Sequence, residues 1–111
     1  MSRSYDVVWA TSAETDLNKI IDFIAIDNPA NALKILKRIR DKSSELQCCP
    51  ERGRIVPELL AQNIIHYREL LVHPWRIIYR IKNSQVTVLS MIDGRRNIED
   101  ILLDRFLNRN Q

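Results

Sequence analysis

Apolar residues at Ala13, Leu17, Ile20, Ile21 and Ile24 return every three or four positions, a spacing that predicts an amphipathic helix over 12–27. A short β run, Tyr5 to Trp9, precedes it. Thr11 or Ser12 is suited to cap this helix, and Glu14 stands three residues after Thr11, as a capping box requires. Asn28-Pro29 then ends the helix and opens another, with Asn28 as N-cap and Pro29 at the tolerated first position. Ala32, Ile35, Leu36, Ile39, Ser43 and Leu46 mark one face of this second helix. So short a break predicts an antiparallel helical hairpin.

Periodicity fails between Cys48 and Ile65, where two prolines and a glycine predict a loop with one helical turn near Glu58–Ala61. Three runs rich in β-branched and aromatic residues follow, predicting strands at about 66–72, 75–82 and 85–92. Asp93-Gly94 breaks the last run. Asn97 then caps an expected C-terminal helix with Ile98, Ile101, Leu102 and Leu107 on its apolar side. The expected fold class is α+β in the order β-α-α-β-β-β-α, a helical hairpin packed on a small, largely antiparallel sheet. At 111 residues, positions 1–111 read as one domain.

Composition narrows the chemistry. With 45% hydrophobic and 28% charged residues the chain has ordinary globular usage. No apolar stretch suggests a signal peptide or membrane span, so a cytoplasmic protein with no membrane partner is expected. Two glycines leave no Gly-rich phosphate loop, and no cofactor is expected. Cys48 and Cys49 are adjacent, which suits neither a disulfide framework nor a zinc site, so they read as reduced thiols near a helix end.

Charge is less evenly spread than the net +3 suggests. Between residues 66 and 96, Arg68, Arg76, Arg80, Lys82, Arg95 and Arg96 oppose only Glu69 and Asp93. A local basic face of this kind suggests an anionic partner. Strand alternation puts Arg76, Ile78, Arg80 and Lys82 on one face, and Trp75, Ile77, Tyr79 and Ile81 on the other, the expected core side. Leu70, Val72 and Ile78 are expected on a half-covered face open to a partner.

Several short motifs stand in a telling order: Trp9 and Ala13 before Asp16-Leu17 and Ile20, then Asn28-Pro29, Leu46, and Pro50 before Gly53-Arg54. Pro57-Glu58-Leu59, Tyr67-Arg68-Glu69-Leu70, Pro74-Trp75-Arg76-Ile77-Ile78-Tyr79-Arg80 and Asp93-Gly94-Arg95-Arg96 complete the set. In order and spacing, across roughly residues 5–103, this resembles the RelE/ParE superfamily of bacterial toxins. The resemblance implies a toxin of a type II toxin–antitoxin module, of the ParE-like plasmid-stabilisation kind or the RelE-like kind. It also implies a cognate antitoxin that neutralises the toxin within a hetero-oligomer. ParE-like members inhibit or poison DNA gyrase, whereas RelE-like members cut messenger RNA on the ribosome.

Metal-free RNA cleavage needs a base, cations around the phosphorane and an acid for the leaving oxygen. Arg54, Arg68 and Arg76 are the candidate cations, but DGRRNIEDILLDRF after the last strand holds no His or Tyr. Tyr79 reads as a core residue, and His66 and His73 as structural or solvated. Glu58 and Glu69 would serve as bases only with a raised pKa. The reading therefore leans to a gyrase inhibitor with no catalytic set, its target- or antitoxin-binding residues being Arg54, Arg68, Arg76, Arg80, Arg95 and Arg96. A ribosome-dependent endonuclease is the alternative, and a non-toxic antitoxin-binding or nucleic-acid-binding module the second. On this reading Arg76→Ala weakens toxicity and antitoxin affinity without unfolding the protein.

Overall fold

The computed structural model describes residues 4–94. Strand β1 (Asp6–Trp9) leads into helices α1 (Thr11–Asp27) and α2 (Pro29–Ser44), and a 3-10 turn (Glu45–Gln47) ends the hairpin. A two-residue strand, β2 (Arg54–Ile55), and a single-turn helix, α3 (Pro57–Leu60), come next. Strands β3 (Tyr67–Val72), β4 (Trp75–Lys82) and β5 (Gln85–Asp93) form a meander. The five strands lie in the order β1-β5-β4-β3-β2, antiparallel except that β1 runs parallel to β5. The expected α+β arrangement is present; the expected C-terminal helix, with Arg95 and Arg96, lies outside the described residues. No described helix is long and apolar enough to cross a membrane.

The hairpin forms where its punctuation is. Asn28 caps α2 through its side chain, Oδ1 accepting from the Asn31 N–H at 3.0 Å, with Pro29 in the first turn. The expected cap of α1 is corrected: Ala10 occupies the N-cap position without a side-chain bond, and Thr11 already lies in the helix. Ser12 is used elsewhere. Between Ile78 and Tyr79 of β4 the register on β5 jumps from Ser90 to Val88, leaving Leu89 as the extra residue of a bulge. Ser12 Oγ donates to the Leu89 carbonyl at 2.8 Å, and Asp16 Oδ2 accepts from the Met91 N–H at 3.0 Å. One turn of α1 thus serves backbone groups around the bulge.

The main core lies between hairpin and sheet. Ala13, Leu17, Ile39 and Leu46 meet Leu70, Val72, Ile77, Tyr79, Val86, Val88 and Met91. Leu70 and Val72 therefore belong to the helix side, which corrects their placement on a half-covered face. The reason is the two-residue His73-Pro74 connection, which pairs Val72 with Trp75 and Leu70 with Ile77. Ile78 does face the other way, yet it is fully buried in a second, smaller cluster with Val56, Leu59 and Ile92. The segment expected as a loop carries Val56 and Leu59, and so covers part of the second face.

Tyr79 joins that segment to the core. Its hydroxyl donates to the Pro50 carbonyl at 2.7 Å and accepts from the Gly53 N–H at 3.0 Å. Burial pushes the phenol pKa above its ordinary 10.0, against the favourable bond from Gly53. The expected core role is the observed one. Gly53 is needed for close approach: a Cβ there would lie 2.4 Å from the Glu69 carbonyl oxygen and 2.6 Å from the Tyr79 hydroxyl. Gly53→Ala is expected to destabilise the protein by at least about 2 kcal/mol, and Tyr79→Phe by about 1–3 kcal/mol through two unpaired buried partners. Urea unfolding of both variants checks this; midpoints equal to wild type would refute the clasp.

Candidate functional site

The sheet face away from the hairpin carries Arg54, Glu69, Leu71, Arg76, Ile78 and Arg80, brought together by cross-strand register. Glu69 is the centre of the group. Its side chain has no exposed surface, and it sits directly opposite Arg54 on β2 and opposite Ile78 on β4. Arg54 Nε donates to Glu69 Oε2 at 2.7 Å, while Arg76 Nε donates to Glu69 Oε1 at 2.6 Å. The other end of Arg76 is gripped by Glu58 of α3, Nη1 donating to Oε2 at 2.8 Å and Nη2 to Oε1 at 2.7 Å. Two arginines and two glutamates thus form a chain of charge-assisted bonds whose formal charges cancel.

This geometry changes the meaning of the arginines. Arg76, expected as a solvent-facing cation, is 8% exposed and fully engaged with carboxylates. Glu58, four positions from Arg54 in sequence but outside the basic window, neutralises it. The Arg76 bond holds the Glu58 carboxyl below its ordinary 4.5, which makes Glu58 a weaker proton acceptor than a free carboxylate.

Arg54, Arg68 and Arg76 do not form one group. Arg68 lies opposite Tyr79, on the hairpin side of the sheet, and its Nη1 donates to the Gly53 carbonyl at 2.8 Å. It buttresses the loop before β2. Arg54 keeps an exposed outer surface, its side chain 58% accessible. Arg80 stands on the second face opposite Tyr67 and beside Thr87, and its buried Nε has no hydrogen-bond partner among the described residues. Lys82, at the end of β4, is exposed. Among the described residues, the cations left uncommitted on this face are Arg80 and Lys82, with Arg54 half-committed.

His66 and His73 are both exposed, and neither approaches this network in any described hydrogen bond through its side chain. The His73 carbonyl instead accepts from Arg38 Nη2 at 2.8 Å, tying α2 to the β3–β4 turn. No cluster of metal-ligating side chains occurs among the described residues. Sequence reasoning missed Glu58 and Glu69 as partners of Arg76. The signal was available in part: Pro57-Glu58-Leu59 sets a carboxylate on the first turn of a helix, where it needs a cation to be half-buried.

Comparison with known proteins agrees with this architecture. Residues 7–98 match the family of ParE toxins of type II toxin–antitoxin systems, parDE. Toxin ParE3 of Caulobacter vibrioides is 26% identical over 93 residues, covering 83% of this chain and 89% of its own. Toxin RelE2 of the same organism is 29% identical over 83 residues, covering 75% and 88%. The chromosomal ParDE system of P. aeruginosa superposes with a TM-score of 0.68 at 23% identity, covering 81% of this chain and 96% of that one. The toxin–antitoxin complex RelBE2 of Mycobacterium tuberculosis gives 0.57 at 19% identity, with 82% and 92% covered. The fold and the family match together define a small α+β protein of the RelE/ParE toxin superfamily. Within it, the chain belongs to the ParE toxin family of type II toxin–antitoxin systems.

The buried network makes Arg76 structural, reversing the expectation that its truncation leaves the fold intact. Arg76→Ala strands Glu69 in the interior with one cation and is expected to cost about 3–5 kcal/mol. An unchanged urea midpoint would refute this. Because the Glu58 pKa is lower folded than unfolded, its stabilisation is present above about pH 4.5 and lost as pH falls through the folded value. Glu58→Gln is therefore expected to unfold more easily than wild type at pH 7, with the difference closing in acid. A difference that does not shrink at all as the pH is lowered below 4.5 would argue against the ion pair as its source.

Proposed function

We propose that this toxin acts by docking on DNA gyrase and blocking its supercoiling activity, without catalysing a reaction of its own, and that a cognate antitoxin neutralises it. The observation that carries this reading is the double capture of Arg76 by Glu58 and Glu69. A cation so committed is poorly placed to stabilise an incoming phosphorane, since it would have to break charge-assisted bonds first. Among the described residues, the lowered pKa of Glu58 makes its carboxylate a weak proton acceptor, and the Tyr79 hydroxyl is consumed by backbone bonds. What the face does offer is a rigid sheet with Arg80, Lys82 and the outer side of Arg54 available to acidic groups on a partner.

Antitoxin recognition falls on the same surface. Partners of similar folds are named in the ParDE and RelBE2 complexes, and by likeness an antitoxin is the expected binding partner here. An acidic antitoxin segment beside Arg80 and Lys82 would cover the cations needed for the target, so that inhibition is occlusion. Leu71, 54% exposed on this face, adds an apolar contact.

The test is supercoiling of relaxed plasmid by gyrase with purified toxin. Inhibition reversed by the antitoxin is expected. Arg80→Glu combined with Lys82→Glu should weaken inhibition by about tenfold and flatten its salt dependence, because rim charges act mainly on association. The unfolding free energy from urea titration should stay within about 0.5 kcal/mol of wild type. Normal supercoiling at excess toxin, together with cleaved messenger RNA on ribosomes, would transfer the activity to the RelE-like reaction, whose relative RelE2 is 29% identical.

A further inference from the structure

Cys48 and Cys49 lie at the close of the 3-10 turn, and no role described above uses them. Their sulfurs are 2.6 Å apart. Cys48 is exposed and Cys49 partly so, and both line an open recess of about 370 Å³ with Tyr5, Pro50, Glu51 and Arg52. Arg52 lies beside the group, its Nη1 3.0 Å from Glu45 Oε1. Two accessible thiols, a fixed cation and space for a small reagent stand together. A structural pair of cysteines would be buried in apolar surroundings, and this pair is not.

From this arrangement we propose that the Cys48–Cys49 pair is an oxidant-sensing site, in which Cys49 reacts with hydrogen peroxide and Cys48 resolves the product. The Cys49 thiolate attacks one peroxide oxygen; an S–O bond forms, the O–O bond breaks, and the departing hydroxide takes up the thiol's proton as water. The Cys48 sulfur then attacks the sulfenic acid at Cys49. An S–S bond forms, the S–O bond breaks, and hydroxide leaves with the Cys48 proton as a second water. The sulfurs together lose two electrons and the peroxide gains them.

The direction of the step follows from the surroundings. Hydrogen bonds from Cys48 and then Arg52 lower the Cys49 thiol below its ordinary 9.0, while the bond to Cys49 raises Cys48. One sulfur is the nucleophile and its neighbour keeps a proton to release. Low pKa, access and an adjacent resolving thiol are the attributes that make a cysteine oxidant-sensitive.

Oxidation here would not stay local. Consecutive Cα atoms are about 3.8 Å apart, shorter than the usual span of a disulfide, so closing the bond moves the backbone at 48–49. That backbone is tied on both sides. The Gln47 carbonyl accepts from the Tyr5 N–H at 2.8 Å, and the Pro50 carbonyl from the Tyr79 hydroxyl at 2.7 Å. The oxidised turn therefore pulls on the start of β1 and on the clasp that orders the approach to β2.

The test is hydrogen peroxide titration of the reduced full-length chain, read by intact mass, thiol counting and dimedone trapping. Wild type should lose both thiols together as a monomer. Cys48→Ser should accumulate a dimedone-reactive sulfenate at Cys49, and Cys49→Ser should retain its Cys48 thiol. Arg52→Gln should slow Cys49 oxidation by about tenfold at pH 7, with Arg52→Lys restoring most of the rate. Amide shifts of Tyr5 and Gly53 should change on oxidation of wild type and not of Cys48→Ser. Oxidation no faster than in the urea-unfolded chain, covalent dimers as the product, or equal reactivity of Cys48 in Cys49→Ser would each overturn the proposal. None of these readouts depends on the toxin's target.

Discussion

A carboxylate with no exposed surface sets the terms for one whole side of this protein. Glu69 comes to the interior charged, and burying it is tolerable only because Arg54 and Arg76 approach within 2.7 Å and 2.6 Å. Those contacts hold β2 against β3 and fix the Arg76 side chain across the face. Arg76 then needs its own remaining donors met, and Glu58 meets them from α3. The single-turn helix and the two-residue strand are too short to persist on propensity alone. Their position follows from this chain of ion pairs and from the small cluster of Val56, Leu59, Ile78 and Ile92 beneath it.

Charge counting along a chain and charge accounting in space give different pictures of the same face. The stretch from 66 to 96 is rich in arginine, yet Arg68 turns to the loop carbonyls and Arg76 to two glutamates. Among the described residues, the cations this face keeps available are therefore Arg80, Lys82 and one side of Arg54. On the proposed docking reading, so modest a charge favours recognition by shape with a charged rim over the deep electrostatic grip that a nucleic acid backbone would call for.

Much of the fold was legible because local rules and tertiary structure agree over long stretches. The 3.6-residue spacing of Leu17 and Ile20–Ile24, and the Asn28-Pro29 punctuation, give the hairpin without help from elsewhere. Alternation along β4 assigned Arg76, Ile78 and Arg80 to one face and Ile77 and Tyr79 to the other, as observed. Failures cluster where a long-range partner overrides the local signal. Ser12 looks like a cap but is drawn to a carbonyl on β5 by a bulge that alternation cannot reveal. Leu70 and Val72 needed the register of the β3–β4 turn, and β2 exists only as the partner of Arg68 and Glu69. The candidate site was half-legible: its arginines stand out in sequence, but their carboxylate partners lie on other elements.

The parallel pairing of β1 with β5 also has a consequence in time. Val7 is joined to Val86, so the strand that leaves the ribosome early finds its neighbour only after most of the described chain has been made. At ordinary elongation speeds that interval is roughly 4–16 s. During it the helical hairpin is complete but the sheet that buries its apolar face is not. A nascent chain of this protein is thus an open hydrophobic hairpin first, and the folded toxin domain appears only after β5 has been made.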